Sequence, residues 1–315
     1  RKTAAEAVAA GRNPKLLARD ELWPDAILEI KPTGPASGEI VWAWHVWDHL
    51  IQDFDRTKSN YGEVAEHPGR IDLNFARRGQ ANWTHFNSID YHPELDQIII
   101  SVHNFNEIWI IDHNLTLAEA AGRRGDLLYR WGNPAAHRQG LRRDRKLFGQ
   151  HDARWIETGH PGEGRLLVFN NGLRRRAGPW SSVLELVPPL TANGSYALVP
   201  GQPRGPSEPV WTYTAPNKTD FYSPNISGAQ RLPNGHTLIC SGAPGHVFEV
   251  TPIGQTVWHY INPHHARARG PWGQGGARAR AAAAAANRTP ALRRPLFRAI
   301  PIPNEHPALK RLRDP

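Results

Sequence analysis

The stretch Val247-Phe248-Glu249-Val250, followed by Gly254-Gln255-Thr256-Val257-Trp258-His259-Tyr260, decides the fold class of this 315-residue chain. A short apolar strand with an acidic residue is followed by a turn and then by a strand in which Trp alternates with a second aromatic or apolar residue. The pattern occurs four times. The other three copies are Ile27–Ile30 with Gly38–Trp44, Ile108–Asp112 with Gly125–Trp131, and Val183–Leu186 with Glu208–Tyr213. Because one such unit cannot bury its own apolar face, the repeat predicts an array of β-units that pack on each other.

A second pair of predicted strands precedes three of the four copies and flanks a turn rich in Pro, Gly, Asn or Asp. Four strands per unit are typical of a propeller blade rather than a sandwich. We therefore expect an all-β propeller with three complete units. The first copy lacks such a pair, so its missing strands are expected from further N-terminal sequence or from a C-terminal segment that closes the ring. The strand pairs are Ile89–Tyr91 with Gln97–Val102, Ala153–Ile156 with Arg165–Phe169, and Ala229–Leu232 with His236–Ser241.

The composition supports many turns and short strands, since Gly and Pro each number 28. We predict three regions. Residues 1–19 form an N-terminal helical or irregular segment, in which Thr3 caps a short helix and Gly11 follows its end. Residues 20–262 form the propeller, and residues 263–315 form a basic, low-complexity extension.

The net charge of +9 belongs to this extension. Eleven Lys or Arg and two acidic residues lie between Pro263 and Pro315, while the first 262 residues carry 27 of each sign. The extension is therefore expected to be solvated, to bind an anionic partner such as nucleic acid or a membrane surface, or to support self-assembly.

Several protein classes find no support in the sequence. The single cysteine, Cys240, excludes an intramolecular disulfide and lies in an apolar strand, which predicts a buried thiol. No run of 18 apolar residues predicts a membrane span. There is no Gly-x-Ser-x-Gly, P-loop or Rossmann fingerprint, so serine hydrolase, nucleotide phosphotransfer and dinucleotide-binding functions are not indicated.

Polar clusters precede the turn-flanking strands, at the position where a blade begins next to the propeller axis. This geometry is expected to collect His45, His49, His85, His151 and Tyr222 around one axis. Convergent imidazoles can bind a metal, carry out acid–base or nucleophilic chemistry, or stabilise an anionic transition state. A metal site lacks a matching carboxylate spacing, so we predict no metal. Asn87 follows His85 in the same cluster and is a candidate substrate-binding residue together with His45, His49 and Tyr222.

Two further candidates lie outside these clusters. The run Arg174-Arg175-Arg176 follows the strand after His151, and an Arg side chain suits bidentate binding of an oxyanion. His246 precedes a strand and is expected to face the axis if it is functional. His103 and His113 are expected to be surface or packed residues.

The same residues resemble the arylsulfotransferase (aryl-sulfate sulfotransferase) family of bacterial β-propellers. The resemblance covers roughly residues 20–262 and depends on short motifs in a fixed order. They are Trp83-Thr84-His85-Phe86-Asn87-Ser88-Ile89, Gln150-His151-Asp152-Ala153 with Trp155, Val168-Phe169-Asn170-Asn171-Gly172 leading to Arg175, Phe221-Tyr222-Ser223-Pro224, Pro233-Asn234-Gly235, and Val247-Phe248-Glu249-Val250-Thr251.

The resemblance implies a six-bladed propeller with an axial active site. Family members move a sulfuryl group from an aryl sulfate to a phenol without a nucleotide donor or other cofactor, through a sulfohistidine. By motif, His85 and His151 would bind and polarise the sulfate oxygens and Arg175 would stabilise their charge. The family's sulfuryl-accepting His has no certain match here, and His246 is the nearby candidate. The resemblance also implies export to the periplasm or beyond.

Two alternatives remain open at this point. The first is a non-catalytic propeller that binds a ligand or builds an extracellular assembly. The second is a quinone-dependent dehydrogenase propeller, for which the sequence offers no recognisable Ca²⁺ site.

Overall fold

The structure, a computed structural model, describes residues 1–17, 21–75, 80–199, 201–264, 294–302, 306, 307 and 309. The described residues are mostly β, with two short helices, α1 (Ala4–Ala9) and α2 (Leu117–Ala120), and several 3₁₀ turns. The first six strands are β1 (Lys2–Thr3), β2 (Glu21–Leu22), β3 (Ala26–Gly34), β4 (Ser37–His45), β5 (Leu50–Ile51) and β6 (Ile71–Asp72). Strands β3 and β4 form a long antiparallel hairpin, β1 pairs with β2, and β5 pairs in parallel with β6. The 3₁₀ turns are Pro14–Leu16, Val46–His49, Val64–Glu66, Arg123–Gly125, Pro134–His137, Arg142–Asp144 and Lys218–Asp220.

Three four-stranded antiparallel sheets follow, each made of consecutive strands. The first contains β7 (Phe86–His92), β8 (Gln97–Val102), β9 (Glu107–Asp112) and β10 (Tyr129–Trp131). The second contains β11 (His151–Trp155), β12 (Leu166–Asn170), β13 (Ser182–Leu186) and β14 (Trp211–Tyr213). The third contains β15 (Gly228–Arg231), β16 (Thr237–Ser241), β17 (His246–Val250) and β18 (Thr256–Ile261). The prediction of three complete four-stranded units is confirmed.

The sheets stack face to face through their central strands. Side chains of a strand alternate between the two faces of its sheet. In β12, Leu166 and Val168 pack in the apolar cluster shared with the first sheet, whereas Leu167 and Phe169 pack in the cluster shared with the third. The first sheet is covered on its other face by the β3–β4 hairpin, through Trp42 and Trp44 among others. Neighbouring sheets are therefore arranged like consecutive propeller blades, although the described residues do not show a closed ring.

The first strands of the units lie side by side, with β11 between β7 and β15. In each case a polar side chain from one unit accepts a hydrogen bond from a backbone N–H of the next, which fixes the starts of these strands relative to each other. The three bonds are Phe86 N to Asp25 Oδ2 (3.0 Å), Ala153 N to Ser88 Oγ (3.0 Å) and Ala229 N to Asp152 Oδ2 (3.1 Å).

The N-terminal helix is confirmed. Thr3 and Glu6 form a capping box at the start of α1, and Gly11 follows its end with φ of +93°. Ala7 is buried in the cluster beneath the hairpin, so α1 packs on the sheets. The predicted division at residues 19 and 262 stays a prediction.

Residues 265–293 of the basic extension lie outside the described residues, so the predicted anionic partner or self-assembly remains a prediction. The described part at 294–302 packs on the third sheet, where Leu296 N donates to Gly242 O (2.9 Å), and reaches the second sheet, where Arg298 pairs with Asp152 (2.9 Å). Cys240 is buried there as predicted, and burial raises the pKa of its thiol to about 11. None of the helices in the described part of the chain has the length and apolar character needed to cross a membrane.

Candidate active site

Three imidazoles from two neighbouring sheets lie together at the start of the inner strands. His85 immediately precedes β7, His103 follows β8, and His151 begins β11. The ring centroids of His85 and His103 are 5.1 Å apart, and those of His103 and His151 are 5.4 Å apart. His85 has a φ of +56°, a conformation that costs free energy for a residue with a side chain and is often found at functional sites. The expected convergence of His85 and His151 is therefore seen in the geometry, with His103 between them.

Two oxygen atoms contact the same nitrogen of the His151 ring and hold the ring in place. Its Nδ1 lies 2.9 Å from Asn171 Oδ1 and 3.2 Å from Gly149 O. Asn171 Nδ2 donates to Ser223 O (2.8 Å) and Ile226 O (2.9 Å). Because the amide nitrogen of Asn171 faces two carbonyls, its oxygen must face the imidazole, and Nδ1 of His151 must carry the proton.

Burial determines the charge of His151. The side chain is only 7% exposed, and this burial, together with the neighbouring His103, lowers its pKa to about 4 despite the bond to Asn171. At neutral pH the ring is uncharged, and with its proton on Nδ1 it has a lone pair on Nε2. A neutral imidazole of this tautomer can act as a nucleophile or a base, but Nε2 cannot donate a hydrogen bond to a sulfate oxygen.

Arg175 lies in the loop after β12 and contacts Phe148, three residues before His151. Its guanidinium stacks on the rings of Trp180 (3.8 Å from the centroid) and Phe148 (4.8 Å). Within the described residues, Nε and Nη2 of Arg175 are buried and make no hydrogen bond. Burial and the nearby Arg145 lower the pKa of Arg175 to about 10, so it is still a cation at neutral pH. The two rings thus fix the plane of a buried cation that has two unpartnered donors.

A small cleft adjoins the imidazole cluster on its His103 side. It has a volume of about 50 Å³, enough for a few waters or a compact oxyanion but too small for an aromatic ring. Two cationic side chains line it, which suits a negatively charged group. Its lining residues are His103, Asn104, Asn106, Arg145, Gly149, Leu173 and Arg174.

Two other predicted residues adjoin the residues that surround or hold His151: Asn87 contacts Gln150, and Tyr222 precedes Ser223. Asn87 Nδ2 donates to Gln150 O (2.8 Å), beside His151, and Asn87 Oδ1 is buried without a hydrogen bond among the described residues. Tyr222 is half-buried before Ser223, and burial raises the pKa of its phenol.

The remaining three predicted histidines contact other parts of the molecule. His45 is exposed at the end of β4. His49 is buried, stacks on Trp44 (4.9 Å) and bonds Asp126 through Nδ1 (2.9 Å). His246 lies in the third strand of its sheet, against the rings of Phe248 (4.9 Å) and His259 (5.9 Å). Burial and His259 lower the pKa of His246.

His103 and Asn171 are the site residues that sequence reasoning did not select. Each immediately follows the second strand of its unit, His103 after β8 and Asn171 after β12. The second strand returns to the end of the sheet where the first strand begins, so matched positions after β8 and β12 must lie beside His85 and His151. Comparing these positions between repeats is the signal that would have identified both residues.

Metal chemistry has no ligand set in this region. In the part of the chain that the structure describes, no group of three or more His, Cys, Asp or Glu side chains is arranged to hold a metal ion.

Comparison with known proteins gives weak matches to whole structures and one match to a family. A protein of unknown function from Bacteroides caccae is 17% identical over 58% of this chain and 48% of its own, with a TM-score of 0.32. A streptogramin B lyase is 12% identical over 57% of this chain and 42% of its own (TM-score 0.31). Virginiamycin B lyase from Staphylococcus aureus is 10% identical over 56% and 41% (TM-score 0.30).

These similarities span less than half of each of those chains. No curated protein matches. The sequence model of the family described as Arylsulfotransferase (ASST) matches residues 9–261, an interval that includes the three imidazoles, Asn171 and Arg175. The protein therefore belongs to the arylsulfotransferase family.

Proposed function

We propose that this protein transfers a sulfuryl group from an aryl sulfate to a phenol, without a nucleotide donor, at the cluster of His85, His103 and His151. The observation that carries the proposal is the state of His151. Its Nδ1 is fixed by Asn171, its ring is neutral, and it packs on His103, which lines the cationic cleft. Family membership supports the choice of sulfuryl chemistry.

The arginines bind the anionic end of the substrate. Arg175 offers two unpartnered donors, and the cleft adds Arg145 and Arg174. The transferring group is an oxyanion whose charge is spread over its equatorial oxygens, so fixed cations stabilise the transition state as in phosphoryl transfer. Because the cleft is too small for a ring, the aryl body of the substrate lies outside it.

His151 then carries the sulfuryl group. Nε2 attacks sulfur, the S–O bond to the aryl group breaks, and the phenolate leaves. In the second step the acceptor phenol oxygen attacks sulfur, the N–S bond breaks, and neutral His151 is restored. The net proton passes from the acceptor phenol to the departing phenolate. His103 lies next to His151 and His85 lies next to His103, so these two rings relay it. His246 contacts Phe248 and His259, so the proposal gives the acceptor role to His151 in its place.

The proposal includes two wider features of the protein. The three described sheets and the β3–β4 hairpin are consistent with part of a six-bladed propeller. Export to the periplasm or beyond is proposed from the family resemblance and is tested by fractionating cells that express the native gene.

The function is tested by incubating the protein with p-nitrophenyl sulfate and a phenol and following nitrophenolate release. Release that depends on the phenol and is reduced by roughly 10⁴–10⁶-fold in His151→Gln, which removes the nucleophile, supports the proposal. Arg143→Gln, which changes an exposed arginine outside the cleft, is the matched control and is expected to retain activity. The absence of phenol-dependent release by folded protein over a panel of phenols and aryl sulfates would refute the function.

A further inference from the structure

A second and larger cavity lies on the other side of the segment that forms the anion cleft. Its volume is about 430 Å³, within the range of small-molecule sites and far above the 50 Å³ of the cleft. Within the segment 144–146, Asp144 and Lys146 line this larger cavity, whereas Arg145 lines the small anion cleft. The cavity is therefore a separate space. Its lining residues are Arg130, Trp131, Gly132, Pro134, His137, Asp144, Lys146, Val199, Gln202, Pro203, Arg204, Gly205, Pro206 and Ser207.

A buried charged group forms the base of this cavity. Arg130 is fully buried, bonds Glu107 through two nitrogens and donates from Nη1 to Arg70 O (2.9 Å). Burial raises the pKa of Glu107, but the contacts with Arg130 and His137 outweigh burial and bring this pKa below its ordinary value. Arg130 and Glu107 thus satisfy each other, and they leave little charge for a ligand.

His137 is the member of this group with an unpartnered Nε2 among the described residues. It is 2% exposed, and its Nδ1 lies 3.3 Å from Glu107 Oε1. Its Nε2 makes no hydrogen bond within the described residues. Burial and the charge of Arg130 lower the pKa of His137, so the ring is neutral at neutral pH. Because Nδ1 faces the Glu107 carboxylate, it carries the ring proton, and Nε2 is a buried acceptor that cannot donate to an anion.

Arg204 provides a positive charge that is not neutralised. Its Nη1 donates to Leu128 O (3.2 Å), and among the described residues no carboxylate forms an ion pair with it. By contrast, Lys146 is held by Glu208 at 2.7 Å. The wall of the cavity is apolar and aromatic. Trp131 is fixed by a hydrogen bond from Nε1 to Pro206 O (2.7 Å), and Pro203 and Val199 complete this surface.

We propose that this cavity binds a small organic anion with an aromatic or similarly apolar body. The carboxylate or sulfate head would bind the guanidinium of Arg204, and the ring would pack on Trp131. The proposal does not depend on sulfuryl transfer at His151, and it assigns no chemical step to the cavity.

The test is isothermal titration calorimetry with 2-naphthoate, and with naphthalene-2-carboxamide as a neutral analogue of the same shape. We expect one naphthoate per chain and at least tenfold weaker binding of the carboxamide, because a charge-assisted hydrogen bond is lost. Arg204→Gln should weaken naphthoate at least tenfold, and Arg204→Lys should weaken it less. Arg143→Gln, a surface arginine one residue before Asp144, should have no effect.

Two further variants separate this cavity from the reaction site and from a folding defect. His151→Gln should leave naphthoate affinity unchanged. Ser207→Trp changes an exposed lining residue and should block binding by filling the cavity, so the proposal remains testable even if Arg204→Gln does not fold. The proposal is overturned if folded wild-type protein gives no saturable heat at millimolar naphthoate, if Arg204→Gln and Ser207→Trp both bind normally, or if His151→Gln abolishes binding.

Discussion

Replacing His151 by Gln should change how the stability of the protein depends on pH. The folded protein holds this side chain with a pKa of about 4, below its ordinary value of 6.5, mainly because the ring is buried. The folded state therefore binds fewer protons than the unfolded state between these two pKa values. The contribution of His151 to the free energy of unfolding is fully present above about pH 6.5 and is lost as the pH falls toward 4.

The magnitude follows from the two pKa values. At pH 7 the ring is largely uncharged in both states. At about pH 4.5 the unfolded chain is almost fully protonated at this position and the folded chain only in part, so linkage predicts a loss of roughly 2 kcal/mol in the free energy of unfolding. Gln can still donate a hydrogen bond to Asn171 but does not titrate, so the variant should lack this contribution.

The assay is urea unfolding of both proteins at pH 7 and at about pH 4.5. Other groups titrate in the same interval, so the measured quantity is the difference between wild type and variant in their pH-induced loss of stability. His45→Gln, which replaces an exposed imidazole, is the matched control for the substitution itself. An equal loss of stability in wild type and His151→Gln would refute the view that His151 is buried and neutral.

Three further predictions concern the reaction and the loop that carries Arg175. In the pH profile of kcat/KM, protonation of His151 should produce a limb near its pKa of about 4 and no inflection near 6.5. An inflection near 6.5 that disappears in His151→Gln would contradict the view that His151 is neutral and reactive. Arg175→Lys keeps the charge but loses the planar pair of donors, so it should lower kcat/KM by roughly 10²–10³-fold without changing the midpoint of thermal unfolding. The same kcat/KM in variant and wild type would exclude Arg175 from substrate binding. Gly172→Ala would place a Cβ 1.8 Å from Trp180 O at a residue with a φ of +77°. It should lower the free energy of unfolding, measured in urea, by about 1–3 kcal/mol more than the control Gly178→Ala, where φ is +110° but the space around the residue is open.

The strand repeats could be predicted because their signals are local. Alternating Trp residues, short apolar runs and Pro-Asn-Gly type turns specify strands and their connections regardless of distant contacts. The three complete units and the unpaired β3–β4 hairpin follow from them. The proximity of His85 and His151 follows in turn, because both residues lie at the start of a first strand.

Other parts of the site depend on packing that the repeat pattern does not encode. The sequence predicts His49 near His85 and His151, but it is buried against Trp44 and Asp126, beside a different part of the first sheet. The tautomer of His151 depends on Asn171, whose own orientation is set by carbonyls of the next unit, at Ser223 and Ile226. The large cavity is lined by long irregular segments around residues 134–146 and 199–207, whose conformation has no periodic signal.

The central claim, that Nε2 of His151 receives the sulfuryl group, is tested most directly by trapping the intermediate. The protein is mixed with p-nitrophenyl sulfate in the absence of an acceptor, quenched at alkaline pH and mapped by peptide mass spectrometry. We predict one added SO₃ group on the peptide that contains His151, and none in His151→Gln. An SO₃ group on His85, His103 or His246 instead, or rapid turnover with no modified peptide, would contradict the account.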